Sequence, residues 1–280
     1  MQTDENMKSK KTSNSLGKSL GIWIFFTVAS VASSQADVIN GGLTLSGEGD
    51  SFDYMEEHIS TSDGFTIGFD LSTWGPSYMM DGFAIALFDA ETAVPAIGGF
   101  GGSLGYANRT NIEGLAGGVL GIGFDAHGNY SDDNEDRNGG VDRTINSIAL
   151  RGSMGDTRYD GYEYIDGTGS LDDFMNNNQA DSKADALTHS VRIIVTTNEL
   201  VSVEWKETGA KEWTTLLDEV DASAQMTLSE EVKLGVTSSR NSAMNIEISN
   251  LSVSIPEPAA LSMICGMGGV FLIIRRTFIK

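Results

Sequence analysis

The chain of 280 residues has one cysteine, three histidines, four prolines and only eighteen basic residues. The cysteine, Cys265, lies in an apolar run near the C-terminus, so the remainder has neither a disulfide framework nor a thiol nucleophile. Its stability must come from an apolar core. His58, His127 and His189 leave little from which to build a Ser/His/Asp triad, and His189 stands where a strand-like run begins. Thirty-nine acids face the eighteen bases, giving a formal net charge of −21. A phosphate backbone would be repelled, which argues against nucleic acid as a partner and favours neutral polyols or divalent cations. Long helical periodicity is missing, and so is any repeat of the length that builds solenoids or propellers.

The two ends differ from the middle. Lys8, Lys10, Lys11 and Lys18 precede the apolar run Leu20 to Ala32, and Ser34-Gln35-Ala36 then supplies the small residues that a signal peptidase reads. Residues 1–36 are therefore expected to be an export signal cut near Ala36. A run of about 13 apolar residues is short for a membrane span, which needs roughly 20. The tail has Pro256-Glu257-Pro258, then the apolar segment Ala259 to Ile274, then Arg275-Arg276. Residues 259–274 as a helix would cover about 24 Å, which spans a bilayer with local thinning and leaves the arginine pair on the cytoplasmic side.

This order of tripeptide, apolar segment and basic pair resembles the PEP-CTERM sorting signal of Gram-negative bacteria. The resemblance implies export, transient anchoring in the inner membrane, recognition by an exosortase-type processing enzyme, and release to the cell surface or extracellular matrix. With residues 256–280 assigned to sorting, residues 37–255 remain as one domain. The ends hold Asp4, Glu5 and Glu257 but seven bases, Lys8, Lys10, Lys11, Lys18, Arg275, Arg276 and Lys280, so that domain is more acidic than the whole chain.

Within it, apolar and polar residues alternate at Phe65 to Leu71, Val191 to Val195 and Val201 to Trp205, the pattern of half-buried strands. Thr197-Asn198-Glu199 joins the last two as a hairpin. Phe83 to Phe88, Ser147 to Arg151, Val232 to Thr237 and Ile246 to Val253 are further expected strands, with glycine-rich and acidic loops between them. An all-β antiparallel sandwich follows. In GGVLGIGFDAHGNYSDD, residues 117–133, a strand presents Leu120, Ile122 and Phe124 on one face and Gly121, Gly123 and Asp125 on the other, then breaks into a loop of oxygen-bearing side chains. Such a loop is either a turn or a gathering of ligands for a cation or a sugar.

DGFAIALFD at 81–89, GGSLGY at 101–106 and VLGIGFDAHGN at 119–129 stand in that order, followed by NSIALRG, HSVRIIVT, VKLGVTSS and IEISNLSVS. Together they resemble the L-type (legume-lectin-like) carbohydrate-binding domains of the concanavalin A-like superfamily. The resemblance implies a jelly-roll sandwich and a shallow sugar site: Asp81 accepts hydrogen bonds from two hydroxyls, the N–H of Gly102 approaches the ring, and Asn129 serves as donor and acceptor. His127 takes the place of an aromatic that stacks on the sugar, and a cis peptide is implied at Met80–Asp81. Calcium would be held by Asp125, the His127 carbonyl, Asn129 and a later acid. Strict spacing puts that last position on Asn134, beside Asp132, Asp133 and Asp136, of which Asp133 is taken as the ligand. No transition metal is expected, because Gly123 stands where the family has a glutamate and no histidine follows the loop. A second departure is Arg240, in a loop that usually ends in glycine.

Two rival readings remain. Hydrolases of this fold carry two carboxylates on one strand in an E-x-D-x-x-E pattern, and no such string exists here, so no catalytic residue is assigned. A structural matrix protein would keep the sandwich and lose the loop chemistry. For the tail, cell fractionation is the measurement: in a host without the processing enzyme, the protein is expected in the inner membrane. Finding the tail still attached to matrix protein would overturn the sorting assignment.

Overall fold

Strands β1 (Ser34–Asp37), β14 (Asn245–Ile255), β5 (Phe65–Trp74), β10 (Thr188–Val195), β11 (Leu200–Glu207) and β12 (Thr214–Asp221) lie in that order in one sheet, with β2 (Leu43–Leu45) also on β14. The second sheet has the order β3 (Gly49–Tyr54), β13 (Glu231–Arg240), β6 (Gly82–Asp89), β7 (Gly118–Asp125), β8 (Ser147–Arg151) and β9 (Tyr164–Gly167), with β4 (Ile59–Ser60) on β13. Every pairing is antiparallel. The structure, a computed structural model, describes residues 34–37, 43–45, 49–75, 81–172, 175, 180–240 and 245–256. Residues 1–33 of the expected signal, the tail beyond Pro256 and the Met80–Asp81 peptide lie outside the described residues. Among the described residues, no helix is long and apolar enough to cross a membrane.

The architecture is the expected concanavalin A-like jelly-roll sandwich. The alternation read from the sequence has its cause in the core between the sheets. Phe65, Ile67, Phe69 and Leu71 of β5 and Val191, Ile193 and Val195 of β10 are buried there against Phe83, Ile85 and Leu87 of β6 and Leu120, Ile122 and Phe124 of β7. Phe83 and Phe124 stack with ring centroids 4.8 Å apart, and Phe69 meets Phe124 edge-on at 5.6 Å. The β10–β11 hairpin pairs Val195 with Val201, as the intervening Thr197-Asn198-Glu199 predicts. Strand β14 ends at Ile255, immediately before Pro256, which has no N–H to extend the ladder. At the other end, β1 pairs Ser34–Asp37 with Ser252–Ile255, so Ala36, the expected cut, falls within a paired strand.

Strand β12 was not foreseen. Its sequence TTLLDEVD has no alternation, because it is an edge strand with Leu217 alone buried. Strands β6 and β7 depart from half-burial in the opposite sense, since both of their faces are covered. Ala84, Ala86 and Phe88 pack under a second cluster of Leu104, Tyr106, Leu115, Tyr130 and Tyr162, which the irregular segments lay over the outer face of the sheet. This explains the glycines of β7. A Cβ on Gly121 would stand 2.3 Å from the Tyr106 ring, and one on Gly123 would stand 2.3 Å from the Tyr130 ring. The Tyr130 ring thus fills the space that the resemblance assigns to a metal-binding glutamate.

Gly123→Ala is accordingly expected to overpack the sheet and lose about 1–3 kcal/mol, a fall of several degrees at about 2–4 °C per kcal/mol. Gly169, with nothing within 4 Å of its missing Cβ, provides the control, and Gly169→Ala should leave the melting temperature unchanged. Differential scanning calorimetry of the two variants checks the argument.

Candidate functional site

Asp81 stands where β6 begins, and the loop carrying Asn129 leaves where β7 ends. Asp81 precedes β6, and its carbonyl accepts a hydrogen bond from the Ala126 N–H at 2.8 Å, which ties the start of one strand to the loop leaving the other. Its carboxyl group is partly buried. Burial raises its pKa above the ordinary carboxylate value, against the pull of nearby His127 and Arg109. Gly102 lies in a 3-10 turn, Gly101–Ser103, and Asn129 opens another, Asn129–Ser131. The two turns are in contact: a Cβ on Gly102 would stand 2.3 Å from the Cβ of Asn129. Glycine is needed at 102 for this approach.

The first turn is pinned from below. The Gly101 N–H donates to Ser239 Oγ at 2.6 Å, and that hydroxyl donates to Asp50 Oδ1 at 2.7 Å. Serine 239 belongs to β13, so the loop of the sandwich and its sheet are fastened together. Arg240 ends that strand opposite Gly49; its side chain lies outside what the structure describes.

Two residues that the sequence reading did not single out join the site. Phe100, 45 % exposed, lies just before Gly101, and the guanidinium of Arg109 sits 4.3 Å from its ring centroid. Arg109 also donates to the Phe100 carbonyl at 3.2 Å and pairs with Glu135. An exposed aromatic ring held on a charged base offers a flat apolar surface beside the N–H groups of a glycine turn. His127 is half-buried, and its Nδ1 has no hydrogen-bond partner among the described residues. A phenylalanine flanked by glycines was the signal in the sequence, but position alone did not separate it from a core residue.

Asp125 ends β7 fully buried, and both of its oxygens are engaged. Oδ1 accepts the Gly128 N–H at 2.7 Å and Oδ2 accepts the Tyr130 N–H at 2.5 Å. Burial pushes this carboxyl up to about 7, although the two amides pull it down. Of the expected calcium ligands, Asp125 thus also shapes its own loop, and Asp133 is exposed to solvent. Asp132, its neighbour, is turned onto the backbone and side-chain amides of Asn134. Among the described residues, the group of three acidic or histidine side chains whose ligand atoms lie within 4.8 Å of one another is His58, Glu91 and Glu231, exposed and elsewhere. Asp125, His127 and Asn129 thus follow one another at the end of β7, and Asp133 is the expected donor that lies exposed on the surface.

Two buried arginines hold the loop instead. Arg151, at the end of β8 opposite Gly121, donates to the carbonyls of Tyr130 (2.8 Å), Asn138 and Tyr162 (both 3.0 Å), Asp132 (2.9 Å) and Gly139 (3.1 Å). All five guanidinium N–H donors are used on backbone oxygens. Desolvation lowers its pKa to about 10, which leaves it charged at neutral pH. Arg137 donates to the Asp132 carbonyl at 3.1 Å and to Glu135 at 3.0 Å, with Ser103 Oγ at 3.5 Å. Nothing in the alternation pattern reveals an arginine at a core position. Its signal was scarcity, an arginine closing the otherwise apolar NSIALR run.

Compared by sequence, the chain matches no family model and no curated protein. Compared by structure, its fold is that of the legume lectins. The winged bean acidic lectin complexed with methyl-alpha-D-galactose superposes with a TM-score of 0.52 at 14 % identity, over 81 % of this chain and 93 % of that one. The basic winged bean lectin with Tn-antigen gives 0.51 at 16 % identity, covering 79 % and 91 %. Lectin I from Ulex europaeus, in complex with the methyl glycoside of alpha-L-fucose, gives 0.50 at 16 % identity, covering 80 % and 90 %.

The carboxylate of Asp125 braces the loop through the amides of Gly128 and Tyr130. Asp125→Ala strands two buried amides at about 1–3 kcal/mol each, less the relief of removing a buried acid, and is expected to lower the melting temperature clearly. An unchanged melting temperature would show that the loop closes without it.

Proposed function

We propose that this protein is an exported, non-enzymatic carbohydrate-binding module that retains glycans at the cell surface or in the extracellular matrix of a Gram-negative bacterium. The observation that carries the reading is the interlock of Gly102 with Asn129 beside the partly buried carboxyl of Asp81. An acceptor on Asp81, a backbone donor on Gly102 and an amide on Asn129 would make up the set that vicinal hydroxyls require. Phe100 on its arginine base supplies an apolar face of the kind on which the C–H side of a sugar ring packs. The solved lectins of like fold have galactoside, Tn-antigen and fucoside ligands, which supports glycans as the ligand class.

Export and release form part of the same proposal and rest on the sequence of the two ends. The N-terminal segment would direct export, residues 259–274 would hold the chain in the inner membrane, and an exosortase-type enzyme would free it at the Pro256-Glu257-Pro258 element.

Retention on a glycan array tests the reading. Asp81→Ala removes a charged acceptor worth about 1.5–3 kcal/mol, roughly a 10- to 100-fold loss of affinity. Retention should therefore vanish while the melting temperature moves by a few degrees at most. Unchanged retention in this variant would sink the assignment. Shortened glycans would identify a hydrolase instead, and no retention by the unsubstituted protein would leave a structural matrix role.

A further inference from the structure

The segment from Gly128 to Gly140 runs without a sheet ladder, and the carbonyls it turns toward the sheet must find donors. Some accept from backbone N–H groups, as Ser131 does from Val141, and others accept from guanidinium groups. Arg151 collects four carbonyls of the segment, those of Tyr130, Asp132, Asn138 and Gly139, and joins them to Tyr162 on the strand side. Arg137, whose side chain is fully buried, takes the same Asp132 carbonyl and bridges through Glu135 to Arg109. The Asp132 oxygen thus faces two fixed positive charges.

Arg137 also reaches the candidate site itself. The point where a Gly102 Cβ would be lies 3.2 Å from Arg137 Nη1 and equally far from Asn129 Cγ. A divalent ion held by Asn129 would have this guanidinium as its neighbour, a like charge that burial keeps from being screened. Asp125 already gives one lone pair on each oxygen to the amides of Gly128 and Tyr130, which fixes its orientation within the loop.

We infer that Arg137 and Arg151 are the resident cations of this loop, ordering the backbone at Gly102 and Asn129 in the role that the resemblance gives to calcium, so that the site forms without a divalent metal. The inference concerns the loop itself and does not depend on the glycan reading. Arg137 is a positioning residue here: it acts through Asp132, Glu135 and the turn at Asn129.

The test uses the purified full chain, dialysed against EDTA and titrated with calcium chloride, with magnesium chloride as the control for diffuse attraction to an acidic protein. Thermal melting should show no saturable rise specific to calcium, and elemental analysis after gel filtration should find no stoichiometric calcium. A saturable, calcium-selective stabilisation of several degrees would overturn the inference, since linkage requires it of any ion that binds the folded state.

Hydrogen exchange supplies the second arm. In Arg137→Met, amides of Gly128 to Asn138 should exchange about tenfold faster or more, while those of Phe65–Trp74 keep their rates. Arg137→Lys, which retains the charge, should recover part of the protection, and calcium should restore none to Arg137→Met. Unchanged exchange in Arg137→Met, or protection restored by calcium, would refute the assignment. If Arg137→Met does not fold, the calcium titration of the unsubstituted chain decides alone.

Discussion

A buried carbonyl must have a donor, and the outer face of the second sheet places many of them out of reach of any strand. One face of that sheet meets the core; the other is roofed by irregular chain, which has no ladder to satisfy its backbone. Arg151 resolves this at the centre of the roof by bonding with its whole fork to five oxygens. Tyr130 then lies flat on Gly123, the turn at Asn129 is fixed, and Gly102 can close on it. Lysine could not substitute, because three donors on a point charge cannot span five carbonyls set around a plane.

The same economy runs through the other cations. In a chain with so few bases, Arg109, Arg137 and Arg158 lie in the roof while Arg151 reaches it from β8, and each bonds to at least one backbone carbonyl. Arg158 ties Glu113 and the Gly114 carbonyl to those of Ala96 and Ile97. Lys183 and Arg192 instead pair with acids at the surface, so it is these four arginines that meet oxygen which would otherwise be left without a donor. Net charge here reflects solvation, and the arginines reflect architecture.

The core was legible in the sequence because burial on one face prints itself as alternation. Phe65 to Leu71 and Val191 to Val195 could be read as strands without any further context. The edge strand Thr214–Asp221 could not, since an edge buries too little to impose a pattern. At the site, Asp81, Gly102 and Asn129 were legible through motif order, and the structure brings Gly102 and Asn129 into contact. The arginines were not legible, because the distance between Arg151 and residues 130–139 is a property of how loops fold over a sheet. Asp125 shows the limit most plainly: a carboxylate after a strand suits a cation or a turn equally, and only its two amide partners distinguish them.

The contact between Gly102 and Asn129 has a kinetic consequence. The close approach of Gly102 to Asn129 orders both turns as the chain folds, so a glycan at the proposed site would meet a surface whose ordering entropy is already lost. Encounter would then need no rearrangement of the backbone, and discrimination between glycans would fall on how fast each leaves.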